Sequence, residues 1–324
     1  MADILDANCY IYLFLIRKRA TTYSLPSERL DGTALRAAPL NSWVLMSIFL
    51  LGREYMNVFN QNYGKNLLLL IAIAIGILLI LVTPVSATSL PVTRPVTSPP
   101  VWRYGGVENP SQWGELSNDF TLCESGRDQS PINIKVKEAI EGTPAKIGFD
   151  YKPSTLVVVN NVHTIQVNYA EGSTATINGQ KYALLQFHFH TPSEHEINDK
   201  AFAMELHLVH SNETGKLAVV GVMLTEGKAN ALIQEVWKNI PATGKTNTVS
   251  DRMINALSLL PSSKSYFSYD GSLTTPPCSE GVQWNILVEP TTISEAQIET
   301  FEQIYQVDAR PIQLTNRRAV QLHH

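Results

Sequence analysis

A mostly β domain, α+β in class with helices in the minority, is the fold predicted for residues 101–324 of this 324-residue chain. Two observations predict it. The segments 156–169, 183–190, 204–209 and 217–224 alternate apolar with polar residues or run apolar, and they are rich in Val, Ile, Thr and aromatic residues. That composition fits a pleated, half-buried surface. Only 229–239 and 294–305 space their apolar residues as a helix does, the second opened by Ser294 with an acidic first turn. Most of the remainder reads as loop. No internal repeat and no glycine-rich phosphate loop is present, which excludes solenoids and P-loop enzymes.

The N-terminal third is a different kind of sequence. Leu67 to Val82 is a run of sixteen uncharged, almost wholly apolar residues. As a helix it would extend about 24 Å at roughly 1.5 Å per residue, short of a hydrocarbon core of about 30 Å. Lys65 precedes it, and Val85-Ser86-Ala87 offers small residues at the spacing a signal peptidase reads. Residues 56–87 are therefore read as a signal peptide, with an uncleaved membrane anchor as the alternative. Met56 would begin an ordinary charged leader ending at Lys65. Residues 1–55, whose apolar stretch from Trp43 to Leu51 is too brief to span, receive no function; they precede the true start or lengthen the leader. Residues 88–100, with Pro91, Pro95, Pro99 and Pro100, read as an extended linker. The protein is expected to be exported to the periplasm or the cell exterior. It would touch the membrane only if residues 67–82 stay attached.

Charge follows the same division. Residues 1–66 carry seven Lys/Arg against five Asp/Glu, or +2, whereas residues 101–324 carry 17 against 24, or -7. An acidic folded part argues against a nucleic-acid partner.

Histidine placement carries the chemistry. All eight histidines (His163, His188, His190, His195, His207, His210, His323 and His324) lie in the second half. His188 and His190 belong to Gln186-Phe187-His188-Phe189-His190, so a strand turns both imidazoles to one face and both phenyl rings to the other. His207 follows in a second alternating segment, Glu205-Leu206-His207-Leu208-Val209. Histidines from two strands can converge on one metal ion and leave a fourth position open, which distinguishes a catalytic from a structural zinc. Buried imidazoles without a partner would otherwise cost roughly a few kcal/mol. Glu205 shares a strand face with His207 and can accept the imidazole N–H turned away from the metal; Gln186 stands in the same relation to His188. For Glu205 the alternative is a surface ion pair, disfavoured by Ala203, Leu206 and Leu208 around it. His195 and His210 are read as structural.

From about Trp102 to about Val320 the chain resembles the alpha-class carbonic anhydrases, in their bacterial, exported form. The resemblance rests on Tyr104-Gly105, Gln129-Ser130-Pro131-Ile132-Asn133-Ile134, Asn161-Val162-His163, the histidine segments, Ser193-Glu194-His195, Ser272-Leu273-Thr274-Thr275-Pro276-Pro277, Trp284 and Arg310-Pro311, in that family's order. It implies a single domain built on a large, mainly antiparallel twisted central sheet flanked by short helices, with zinc at the base of a conical cleft. It further implies one zinc ion per chain held by His188, His190 and His207. Thr274 would be the gatekeeper, donating to Glu194. His163 would be the proton shuttle, with an ordinary exposed strand histidine as the alternative. Val209, Val219, Leu273 and Trp284, with Thr275, would form the substrate wall, and Tyr104, Asn161 and Gln166 would order water. The family usually has asparagine where Gln166 stands. The loop from His190 to Glu194 is short, as in bacterial members.

The activity so implied is reversible hydration of carbon dioxide to bicarbonate and a proton, by attack of zinc-bound hydroxide. In carbonic anhydrases the zinc lowers the pKa of that water to about 7, a value characteristic of the family as a whole. Carbon dioxide is small and apolar and needs a greasy wall without an anchoring charge; a histidine near pKa 6.5 suits the outgoing proton. Cys123 and Cys278 are the only cysteines after the apolar run. In an oxidising compartment they read as a disulfide holding the Thr274 loop, as exported relatives have; in a reducing one they would be buried free thiols. A metal-free binding module would have lost ligands that this chain keeps, and a zinc-buffering protein would need a fourth protein ligand that the spacing does not offer.

Overall fold

The computed structural model describes residues 100–143 and 146–324. The N-terminal extension, the signal peptide or anchor, and the linker apart from Pro100 lie outside the described residues. Among those described, no helix is long and apolar enough to cross a membrane.

Strict alternation makes the first long strand. β1 (Ser154–Asn160) buries every second residue and half-buries the others, as a period of two requires when one face is covered. It is followed by β2 (Ile165–Asn168), β3 (Gln180–His190), β4 (Met204–Ser211), β5 (Leu217–Glu226), β6 (Lys245–Ile254), β7 (Tyr266–Ser272) and β8 (Glu280–Leu287). Their order across the sheet is β6-β1-β2-β3-β4-β5-β8-β7, continued by the short strands Gln321–His323 and Ile140–Glu141 in a sheet of 13 strands. Neighbours are antiparallel except at β5–β8 and at the margins, so the sheet is mixed but mainly antiparallel. Helices are few and short, the two longest among the described residues being α1 (Ala231–Lys238), capped by the Asn230 side chain, and α2 (Glu295–Glu302), opened by a capping box between Ser294 and Gln297. Both lie within the helical segments read from spacing.

Two strand expectations are corrected. The segment 156–169 is not one strand: β1 ends at Asn160, β2 starts at Ile165, and a turn separates them. Asn161 Oδ1 accepts the N–H groups of His163 and Thr164, and Val162 takes a positive φ of 80°. That side-chain-to-backbone pattern closes a turn. His163 therefore sits on a turn rather than on a strand. The regions of β6, β7 and β8, read as loop, are strands. β6 is an edge strand with a polar, largely exposed pattern. β7 is buried on both faces yet contains Ser, Asp and Gly, so neither shows a clean period.

The core lies on one face of the central strands. Phe187, Phe189, Leu206 and Leu208 have no exposure and pack with Leu156, Val158, Val220 and Val222, beneath Trp237 of α1 and Phe301 of α2. A β-bulge lies between Leu184 and Gln186, where β3 shifts against β4. Tyr182 and Leu184 face this core before the bulge, and Phe187 and Phe189 face it after. One extra residue exchanges the faces of a strand. Here it turns Gln186, His188 and His190 away from the core and into the cleft.

Candidate metal centre

Register brings the three histidines together. His188 stands directly opposite His207 across β3 and β4, and His190 stands opposite Glu205. One ligand-capable nitrogen from each of His188, His190 and His207 lies within 4.8 Å of the others. The remaining nitrogen of each ring is engaged behind it: His188 Nδ1 with Gln186 Oε1 at 2.9 Å, His190 Nδ1 with the Asp308 carbonyl at 2.7 Å, and His207 Nε2 with Glu205 Oε1 at 2.9 Å. That leaves His188 Nε2, His190 Nε2 and His207 Nδ1 facing one another. His190 Nε2 is buried without a hydrogen-bond partner. Three imidazoles, each anchored on its far side, with an orphaned nitrogen at their centre, fit a zinc ion with an open fourth position.

Electrostatics around the cluster are set by burial and by carboxylates. Burial holds the pKa of His188 well below its ordinary value, aided by His190 and His207, and burial also lowers His207. At His190 the same burial is outweighed by Glu194 and Asp308, which raise it. Glu205 has no exposure, and burial would raise it, yet His195 and His207 hold it well below the carboxylate range. It accepts from the His195 N–H at 2.8 Å and from His195 Nδ1 at 2.8 Å as well as from His207. His195 Nε2 in turn meets the Tyr269 hydroxyl at 2.6 Å. Gly221 faces His207 from β5, and a Cβ there would lie 2.9 Å from Glu205 Oε1, so glycine leaves the room the carboxylate occupies.

The cleft above the cluster is lined by Tyr104, Asn161, His163, Thr164, Gln166, Gln186, Val209, Val219, Leu273, Thr274, Thr275 and Trp284. Apart from Thr164, every one was singled out in the sequence. Val209, Val219, Leu273 and Trp284 belong to one apolar cluster on the cleft. Tyr104, Asn161 and Gln166 stand among the polar residues. The Tyr104 hydroxyl is buried without a partner, and burial, then Glu194 and Asp308, raise its pKa well above the usual value.

Two details differ from expectation. Thr274 lines the cleft but makes no hydrogen bond to Glu194. Glu194 Oε1 instead accepts the Arg310 N–H at 2.9 Å, and Oε2, without a hydrogen bond, leans toward His190 Nε2 at 3.6 Å and His207 Nδ1 at 3.9 Å. The attraction of a buried carboxylate for two imidazoles accounts for that direction. His163 stacks flat on Trp102, with ring centroids 3.6 Å apart and planes 7° apart. Burial, aided by Arg103, lowers its pKa to about 4.

His195 and His210, read as structural, are both fully buried, and His210 meets the Tyr151 hydroxyl at 2.7 Å. Cys123 and Cys278 form a disulfide with a Cα–Cα distance of 5.0 Å. The sequence reading missed Asp308 and the Glu194–Arg310 contact. Asp308 reaches His190 through a main-chain carbonyl 118 residues away, which no periodicity reveals. Its one signal is adjacency to Arg310-Pro311.

The model of the eukaryotic-type carbonic anhydrase family matches residues 108–324. A carbonic anhydrase of Nostoc sp. is 43% identical over 234 residues, covering 71% of this chain and 89% of that protein. One from Neisseria gonorrhoeae is 44% identical over 222 residues, covering 68% and 86%. Among solved structures, the alpha-carbonic anhydrase from Thermovibrio ammonificans in complex with the inhibitor sulfanilamide superposes with a TM-score of 0.67 at 38% identity, over 69% of this chain and 100% of that one. With its family model spanning two thirds of its length and its histidine cluster at the foot of a half-apolar cleft, the chain belongs to the eukaryotic-type, or alpha-class, carbonic anhydrase family.

Proposed function

We propose that His188, His190 and His207 hold one zinc ion per chain and that the protein interconverts carbon dioxide and water with bicarbonate and a proton at this centre. The observation that carries the reading is the convergence of three imidazole nitrogens within 4.8 Å, each ring anchored behind by Gln186, Asp308 or Glu205. Zinc bound there supplies a Lewis acid that makes a coordinated water nucleophilic near neutral pH. Zinc content of the dialysed protein, measured together with carbon dioxide hydration, tests the reading; a folded protein with no zinc and no hydration overturns it.

The chain's own residues do the rest. Val209, Val219, Leu273 and Trp284 offer carbon dioxide an apolar rest without a charge to bind it. Thr274, beside Thr275 at the cleft wall, orients the attacking oxygen by accepting a hydrogen bond from it, its own proton going to Glu194 only after Glu194 Oε2 turns from His190 and His207. The Arg310 N–H holds Glu194 in place behind the cluster. Thr274→Ala is expected to retain zinc and to lower kcat/KM for hydration by about 10²-fold, because the nucleophile is no longer aimed. An unchanged rate constant removes Thr274 from the mechanism.

His163 passes the proton to buffer through waters ordered by Tyr104, Asn161 and Gln166. Stacked on Trp102 it holds a proton only below about pH 4. Shuttling near neutrality therefore requires the ring to turn off Trp102 into the cleft, where the ordinary value of about 6.5 applies. His163→Ala is expected to lower kcat in dilute buffer by about tenfold with kcat/KM nearly unchanged, and added imidazole is expected to restore the rate. A parallel fall in both parameters without rescue would instead assign His163 a role in shaping the cleft.

The protein acts after export, in the periplasm or outside the cell. The Cys123–Cys278 disulfide supports this, since disulfides persist in oxidising compartments. Mass spectrometry of the mature protein is expected to find an N-terminus near Thr88; an intact leader would favour a membrane anchor through residues 67–82.

A further inference from the structure

The turn that carries His163 between β1 and β2 holds a valine in a conformation that valine avoids: Val162 has a φ of 80°. Glycine adopts such an angle freely, whereas a β-branched side chain crowds its own backbone there. Packing does little to offset the strain, because the Val162 side chain is half exposed at the tip of the turn. A strained residue of this kind persists only where its surroundings over-determine it.

Hydrogen bonds supply that constraint. Asn161 Oδ1 accepts the His163 N–H at 3.0 Å and the Thr164 N–H at 2.8 Å, and the Asn161 N–H donates to the Thr164 carbonyl at 3.2 Å. The ends of the turn are tied elsewhere. The Tyr305 hydroxyl donates to Asn160 Oδ1, and the Thr164 hydroxyl donates to the Phe189 carbonyl, on the main chain between His188 and His190. Between these ties, Asn161 bridges the strained residue from one side to the other. An amide oxygen has two lone pairs, and the turn uses both. Only the N–H2 of Asn161 is left for the cleft that the residue lines.

We propose that Asn161 is a positioning residue of the proton path that acts through the backbone: its amide oxygen holds Val162 left-handed and so fixes the point about which the His163 ring pivots between Trp102 and the cleft. The inference rests on the reading of His163 as the shuttle. Without the clamp, Val162 relaxes toward the extended backbone that valine prefers. The turn then opens toward the continuous strand that the pattern of residues 156–169 suggests, and the His163 backbone is no longer held at the cleft.

The test is a rescue by glycine. Hydration kinetics in dilute buffer are compared for wild type, His163→Ala, Asn161→Ala, Val162→Gly and the Asn161→Ala/Val162→Gly double variant. Asn161→Ala is expected to lower kcat by about 5- to 10-fold with a much smaller change in kcat/KM, and added imidazole is expected to restore the rate. Val162→Gly alone is expected to keep the wild-type kcat, since glycine takes the same φ without strain. In the double variant glycine holds the turn without the clamp, so most of the lost kcat is expected to return. If Asn161 served only by ordering water, a neighbouring glycine could not replace its N–H2. A double variant as slow as Asn161→Ala would therefore overturn the proposal, and so would an unchanged kcat in Asn161→Ala. Hydrogen exchange on the metal-free wild type checks the clamp without any activity: the His163 and Thr164 amides are expected to be protected, and exchange at the rate of an unstructured peptide would refute it. Should His163→Ala itself keep the wild-type kcat, the shuttle reading falls instead, and with it the role proposed for Asn161, whatever the exchange rates show of the turn.

Discussion

His207→Ala is expected to release the metal and reduce carbon dioxide hydration to background. Only two imidazoles would remain, too few to hold zinc against dialysis. The loss extends into the fold. Glu205 would keep its bonds from His195 but lose the one from His207 Nε2 at 2.9 Å, and its charge would stay buried. An uncompensated buried hydrogen-bonding group costs about 1–3 kcal/mol. The metal-free variant should therefore melt below metal-free wild type, in addition to losing zinc. Atomic absorption on the folded, dialysed variant, read with the hydration rate, checks both points. Stoichiometric zinc and a normal rate would show that His207 is no ligand. Zinc loss with unchanged metal-free stability would show that the Glu205–His207 contact contributes nothing to the fold.

The metal ligands were legible because their chemistry coincides with a strand's period. In Gln186-Phe187-His188-Phe189-His190, the phenyl rings need a core and the imidazoles need a partner, and alternation assigns each to its own face. The same rule fails at three places. It cannot see the bulge at Leu185, without which the histidines would face the core occupied by Tyr182 and Leu184. It runs straight through Asn161 to Thr164, where a side-chain-capped turn displaces the β-branched pattern and puts His163 on the tip. It passes over β7 and β8, whose residues are mostly buried on both faces, which erases alternation. Asp308 and Arg310 act through main-chain atoms at a separation of more than a hundred residues. Contacts of that kind belong to the topology and leave no periodic trace. The cysteine pair was legible for the opposite reason: with two cysteines beyond the apolar run, pairing admits one solution once the compartment is oxidising.

That pair supplies the largest expected effect on stability. The bridge closes a loop of 155 residues, for which a chain-entropy model gives about 5 kcal/mol, toward the upper end of the roughly 2–5 kcal/mol typical when a native disulfide is removed. At about 2–4 °C per kcal/mol for a domain of this size, reduction should lower the melting temperature by roughly 5–15 °C. The location ties this to the site. The Cys278 N–H donates to the Thr275 carbonyl at 2.9 Å, and the Cys278 carbonyl accepts from Gln129 Nε2 at 3.0 Å. The Cys123 carbonyl accepts from Arg310 Nη2 at 2.9 Å, and the same guanidinium bonds Gln129 Oε1 and the Ser130 carbonyl. The bridge thus joins the loop that carries Thr274 to the residue whose N–H fixes Glu194. A Cys123→Ser/Cys278→Ser double variant should melt as the reduced wild type does and become insensitive to reductant. Held well below its melting point it should keep zinc, because none of the three histidines touches the bridge, while the rate falls as the Thr274 loop loosens. A melting temperature unaffected by reductant in the wild type would mean that the hydrogen bonds of Arg310, Gln129 and Cys278 hold this corner without the covalent link.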